Sequence, residues 1–154
     1  MTIPKAEDLE FHANVISDTC IYFELRWSAK ARRVAVIKAS IQGDTADIGD
    51  TIINDLEAAR EERLALVRRA GRLLNWRKYL SLKYQQVPEF RGDSLGSYLV
   101  ERMLVDLRAR GCRRVIGRIR QHDLDTNPKL LRWYEKLGFK AGETRSGFEV
   151  SVEL

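Results

Sequence analysis

The chain lacks most of the features that announce a specialised protein. No stretch of its 154 residues approaches the roughly 20 apolar residues that a membrane helix needs. Its two cysteines, Cys20 and Cys112, cannot build a disulfide framework, and two histidines add little to a metal set. Three prolines form no linker, and no segment repeats at the period of roughly 20–50 residues that marks solenoids. The opening MTIPKAEDLE puts acids where a signal peptide needs an apolar core. These absences lead us to expect a soluble cytoplasmic domain with no membrane partner and no metal.

What is present is a globular mixture, since 44% of residues are hydrophobic and 32% charged. Lys and Arg number 27 against 22 acids, a net +5. That excess fits nucleic acid, an anionic cofactor or simple solubility equally well.

Residues 1–17 carry no clear pattern. From Ile21 the apolar residues alternate as Ile21, Phe23, Leu25 and Trp27, which predicts a half-buried strand. Val34–Ile41 predicts a second strand, joined to the first by a basic hairpin, SAKARR. A turn follows at Gln42-Gly43-Asp44, then a short strand near Thr45–Ile48. Asn54 and Glu57 have capping-box spacing and open a predicted helix over about 54–74. Tyr79–Val87 returns to strand character and stops at Pro88. Residues 95–110 are predicted helical, with Leu95, Leu99, Met103 and Leu107 on one face. Arg113–Arg120 is a strand, and Asn127-Pro128 starts a helix that ends at Gly138. Phe148, Val150, Val152 and Leu154 alternate along a final strand. The order from residue 79 is strand, helix, strand, helix, strand. It predicts an α/β core with a ligand crevice at the carboxyl ends of strands 79–87 and 113–120.

Two segments carry chemistry. The first, Val87-Pro88-Glu89-Phe90-Arg91-Gly92-Asp93-Ser94-Leu95-Gly96, runs from a strand into a helix. Such a turn presents unpaired N–H groups and the positive end of the helix dipole to an anion. Gly92 and Gly96 let backbone approach a ligand closely, and Arg91 supplies a cation. The same residues also read as an ordinary capped turn with Asp93 or Ser94 as N-cap. The second segment is Asn127-Pro128 to Gly138-Phe139, where Tyr134 and Trp133 are either aromatics packed on the sheet or part of a site.

Together, in this order and spacing, the segments resemble the GNAT N-acetyltransferase superfamily over residues 79–154. Its phosphate-loop pattern, Arg/Gln-x-x-Gly-x-Gly/Ala, falls on Arg91, Ser94 and Gly96. Its later motif falls on Asn127, Tyr134, Gly138 and Phe139. The resemblance implies a GNAT-like fold: a mixed, splayed central sheet with helices on both faces. It implies an N-acetyltransferase that passes acetyl from acetyl-CoA to an amine by direct attack. The loop Arg91, Gly92, Asp93, Ser94, Leu95, Gly96 and Ser97 would hold the CoA pyrophosphate, with Asn127 also contacting CoA. Lys136 and Arg132 would lie near its phosphates. Gln86 and Val87 would bond the pantetheine arm, and Tyr134 would protonate the departing thiolate.

The chemistry is consistent with those roles. An amine must be neutral to attack a thioester, although its ordinary pKa is about 10.4. The site must therefore take up a proton, stabilise an oxyanion and reprotonate sulfur. Ser94 stands where the pattern has glycine, and Asp93 is an acid in an anion loop. Gln85 and Gln86 cannot act as bases; Glu89, His122, Asp123 and Asp125 are the nearby proton acceptors, so no base is assigned. Cys112 has no His beside it in sequence to activate a covalent route.

The family usually opens with a strand and two helices that wall the acceptor site. Here strands come first, then one long helix. We therefore expect one domain over 1–154, with a cofactor-binding core at 79–154 and a divergent N-terminal half at 1–78. Arg60, Arg63, Arg68, Arg69, Arg72, Arg77 and Lys78 form one basic cluster. Arg108, Arg110, Arg113, Arg114, Arg118 and Arg120 form another. No nucleic-acid motif accompanies either, which leaves solvated faces or a phosphate clamp. The alternative reading is a non-catalytic GNAT-fold domain that binds CoA, protein or nucleic acid. A homodimer is left open.

Overall fold

The computed structural model describes residues 6–28, 32–53 and 95–154. A 3-10 turn at Ala6–Asp8 leads into β1 (Leu9–Ser17), β2 (Cys20–Trp27), β3 (Arg32–Gln42) and β4 (Thr45–Ile53). The second described stretch holds α1 (Leu95–Ala109), β5 (Arg114–Arg120), α2 (Gln121–Thr126), α3 (Leu130–Lys136), β6 (Lys140–Thr144) and β7 (Gly147–Glu153). The strands form one seven-stranded sheet in the order β1-β2-β3-β4-β5-β7-β6. Only β4 and β5 run parallel; every other neighbouring pair is antiparallel. This is the α/β class that the pattern predicts, with the mixed, splayed sheet that the family resemblance implies. The predicted helix at 54–74 and strand at 79–87 lie outside the described residues.

The core follows from alternation. Ile21, Phe23, Leu25 and Trp27 of β2 are buried, as are Val115, Gly117 and Ile119 of β5. Across β3 and β4 the same face is continued by Ala35, Ile37, Ala39, Ala46 and Ile48. Helix α1 closes this layer against β2, β3 and β4. Its buried Leu95, Leu99, Val100, Met103 and Leu107 recur at intervals of one to four residues, the stripe that an amphipathic helix turns toward a core.

The N-terminal half is where the structure adds most. Residues 9–17, without a clear pattern in the sequence, form edge strand β1, paired from Leu9↔Trp27 to Ser17↔Cys20. Leu9 is buried, and Phe11 stacks on Phe23 with ring centroids 5.9 Å apart, while Val15 and Ile16 are exposed. A two-residue turn, Asp18-Thr19, joins β1 to β2. On the other face of β2 the buried Glu24 is held by Arg26, at 3.0 and 2.8 Å, and by Arg33 at 3.3 Å. Two guanidinium partners are what make a buried carboxylate tolerable.

β5 is pinned to β4 at its start, parts from β4 past its midpoint, and stays paired with β7 to its end. The amides of Arg113 and Arg114 donate to the carbonyl of Asp44 at 2.7 and 3.2 Å, and the Leu154 amide donates to the Arg113 carbonyl at 2.8 Å. β4 then pairs with β5 from Thr45↔Arg114 to Ile48↔Gly117 and no further. Beyond that point β4 stays with β3, as far as Ile53↔Ala35. The β3–β4 register shifts here: Ile48 faces Ala39 and Thr51 faces Ile37. That places two residues, Gly49 and Asp50, opposite Lys38, a bulge of the kind that bends and twists a strand.

Two glycines make the junction fit. A Cβ on Gly117 would lie 3.0 Å from Ile48 Cγ1 and 3.2 Å from Val150 Cγ2. Gly147 opens β7 at φ +149°, and a Cβ there would meet the Ile119 carbonyl oxygen at 2.1 Å. Backbone cannot yield to that contact as a flexible side chain would. Gly147→Ala should therefore lower unfolding free energy by more than about 1 kcal/mol in a denaturant titration. Gly142→Ala, where a Cβ meets no atom within 4 Å, should change it by less than about 0.5 kcal/mol. Equal effects would contradict the backbone clash.

Candidate functional site

Where β4 and β5 part, an open cleft of about 540 Å³ forms between them and the β6–β7 hairpin. Ile48, Ile119 and Phe148 supply apolar wall, and charged residues from all three strands and the hairpin turn supply the rest. It sits at the carboxyl ends of the sheet's one parallel pair, where a ligand crevice is expected. Over residues 114–117 the parallel neighbour of β5 is β4; the expected flanking strand 79–87 lies outside the described residues. Gln86, Val87, Arg91, Gly92, Asp93 and Ser94 lie outside them too.

The described part of the phosphate-loop motif is the first turn of α1. Leu95 and Gly96 are buried, and Ser97 is half-buried. Amides in a first helical turn have no partner within their own helix, so they are donors for an anion or a cap. The Ser97 hydroxyl accepts a hydrogen bond from Trp133 Nε1 at 2.9 Å. That bond ties the start of α1 to α3 across 36 residues of sequence.

Tyr134 lies on α3 and is 7% exposed. Its ring meets Trp133 edge-on at 4.7 Å and Phe139 at 5.3 Å. The aromatic body is thus part of the core, as one of the two sequence readings holds. Helix α3 ends in paired backbone bonds, Phe139 N–H to Tyr134 O at 3.1 Å and Gly138 N–H to Glu135 O at 3.0 Å. This is the C-terminal cap that the Gly138-Phe139 pair predicts. Lys136 and Arg132 are exposed on the same helix.

Asn127 does not open α3 directly, and here the sequence reading is corrected. A separate short helix, α2, precedes it, and Asn127 closes α2 by donating its amide to Asp123 O at 2.8 Å. Its Oδ1 accepts the Lys129 amide at 3.3 Å and its carbonyl accepts the Leu130 amide at 3.0 Å. Asn127 is therefore the joint between two helices, and regular α-helix starts three residues later at Leu130. The acids read as loop residues also belong to α2. Asp123 accepts the Arg120 amide at 2.9 Å and Asp125 accepts from Gln121 Nε2 at 3.2 Å. Of His122, Asp123 and Asp125, only Asp123 lines the cleft.

Asp47, Arg145 and Glu149 line the cleft but escaped the sequence reading. Asp47 and Glu149 occupy the non-core positions of their strands, and the register alone brings both beside Arg118. Arg118 Nη2 lies 3.2 Å from Asp47 Oδ2. Within the second basic cluster, Arg114 also pairs with Glu153 at 3.5 Å, and Arg110 with Asp106. The first cluster lies outside the described residues. Cys112 is buried, and desolvation, followed by the nearby Asp44 charge, pushes its thiol up. No group of three or more metal-ligating side chains occurs among the described residues, and no helix among them is long and apolar enough to cross a membrane.

Comparisons with known proteins converge on one family. The model of the acetyltransferase (GNAT) family matches residues 87–139. A glucosamine 6-phosphate N-acetyltransferase from Trypanosoma brucei brucei is 41% identical over 56 residues, which are 36% of this chain and 33% of that protein. The chain thus spans about a third of the length of that curated relative. Among solved structures, the PaiA N-acetyltransferase from Thermoplasma acidophilum, in complex with coenzyme A, superposes with a TM-score of 0.57 at 11% identity. That match covers 88% of this chain and 62% of the other. The ribosomal-protein-S18-alanine N-acetyltransferase from Escherichia coli gives 0.54 at 15% identity, covering 90% and 70%. At such identities the likeness is one of fold.

The Ser97–Trp133 bond gives a direct test of how the site is braced. Ser97→Ala and Trp133→Phe should each cost about 1 kcal/mol of stability. The double variant should cost clearly less than the sum of the two, as a denaturant double-mutant cycle would register. Strict additivity would mean that the bond contributes nothing.

Proposed function

We propose that this chain, whose residues 87–139 match the model of the acetyltransferase (GNAT) family, transfers acetyl from acetyl-CoA to an amine. The observation that carries the proposal is the parting of β4 and β5 beyond Ile48 and Gly117. Past that pair the peptide groups of the two strands are not laddered to each other. An extended ligand arm with its own amides can bond to such an edge as an added strand would.

The residues present fit a CoA thioester. The first turn of α1, with Leu95, Gly96 and Ser97, offers amide donors to a phosphate, and Arg91, Gly92, Asp93 and Ser94 precede it in sequence. Gln86 and Val87 stand before that loop, while Asn127 precedes α3 and Arg132 and Lys136 lie on it. Tyr134 is the acid in this reading. In the reaction the acceptor amine gives up a proton to solvent and adds to the thioester carbonyl, forming the C–N bond; the resulting oxyanion collapses as the C–S bond breaks. The departing thiolate takes a proton from the phenol, which regains one from solvent. A buried Cys112 with a raised thiol pKa favours such direct transfer over a route through cysteine. We read 1–154 as one domain, supported by the single sheet that strands from both halves share.

Calorimetric titration with acetyl-CoA, followed by thiol release against a panel of amines, tests the proposal. Saturable binding and amine-dependent release are expected; no binding at millimolar acetyl-CoA contradicts it and favours a domain that acts through other contacts. Tyr134→Phe should lower turnover by about 10²-fold or more while acetyl-CoA affinity stays near that of the parent. Equal turnover would remove Tyr134 from the chemistry.

A further inference from the structure

The charges of the cleft point to a class of acceptor. Asp47, Arg118 and Glu149 stand side by side on β4, β5 and β7. Arg118 is directly opposite Glu149 in the strand register, yet its guanidinium pairs with Asp47 instead, at 3.2 Å. Glu149 is left half-buried, lining the cleft, with no ion pair or side-chain hydrogen bond among the described residues. Arg120, at the end of β5, and Arg145, in the β6–β7 turn, line the same cleft, and neither has a carboxylate partner among the described residues. Asp123, the remaining acid there, accepts the Arg120 backbone amide at 2.9 Å. Among the described residues the cleft thus keeps two guanidiniums, Arg120 and Arg145, and two carboxylates, Glu149 and Asp123, outside any ion pair, and of the two acids only Glu149 also has no side-chain hydrogen bond.

From this pattern we infer that the acceptor is a small amine carrying an anionic group, such as a phosphate monoester. Its ammonium is held by Glu149 and its anion by Arg120 and Arg145. The inference rests on the transferase reading above and names the substrate class of that site. An amine with a pKa of about 10.4 arrives protonated, so a free carboxylate both attracts it and lies where its proton must leave. Guanidinium forks suit phosphate and carboxylate oxygens better than any other side chain. The cleft volume, about 540 Å³, lies within the roughly 300–1,000 Å³ of small-molecule sites. That favours a small acceptor over a folded protein surface.

The test is a set of titrations of the CoA-saturated protein with O-phosphoethanolamine, ethanolamine and ethyl phosphate. O-phosphoethanolamine should bind at least about tenfold more tightly than either single-charge probe. Glu149→Gln should erase its advantage over ethyl phosphate, and Arg145→Ala, in an exposed turn, its advantage over ethanolamine. Similar affinities for all three probes, no binding by any, or an advantage that survives both substitutions would overturn the inference. Acetyl-CoA titrated alone reports on the transferase reading separately. Both variants should bind it as the parent does, which also shows that they are folded.

Discussion

One packing contact organises the site: Ile48 against the bare Cα of Gly117. It is the last pair at which the two parallel strands remain together. Upstream, the Asp44 carbonyl takes two amides from the start of β5 and locks the strands in register. Downstream, the bulge at Gly49-Asp50 bends β4 away while β3 keeps hold of it. A sheet pinned at one end and bulged just past its midpoint must open. The opening leaves peptide groups and charged side chains facing a gap rather than each other. Helix α1 covers the neighbouring strands, and its first turn is fastened to α3 by the Ser97–Trp133 bond. The proposed cofactor-binding elements are therefore braced by the core that supports the cleft.

Among the described residues the N-terminal half differs from the strand-and-two-helix opening that the family resemblance implies. A two-residue turn joins β1 to β2, so among the described residues β1–β4 form a continuous antiparallel meander. In the proposed reading the acceptor meets charged residues on the strands and on the β6–β7 turn, among them Glu149 and Arg145, which line the cleft.

How much could be read beforehand depended on burial. β2, β5 and β7 show alternation in their apolar residues, β3 reads as an apolar run because Val34, Ala35, Val36 and Ile37 are all buried, and α1 shows its apolar stripe. β1 was missed because its second half, with Val15 and Ile16, is exposed. β6 was missed because all five of its residues are exposed. β4 was seen only to Ile48, since the bulge breaks its alternation there. α2, with six residues and none buried, has no period to detect. Tyr134 and the start of α1 were legible as local motifs, and neither lines the cleft. Asp47 and Glu149 were not legible, because what distinguishes them is register across strands far apart in sequence. Asn127 was seen as a helix boundary but assigned to one helix instead of the joint between two.

The measurement that bears most directly on the central claim is the electron density of crystals grown with acetyl-CoA. Density for the pantetheine arm should lie in the gap between β4 and β5 beyond Ile48 and Gly117, with the acetyl end toward Glu149. An arm bound elsewhere, with the gap closed by a continuous β4–β5 ladder, would contradict the claim that the parted strands form the site.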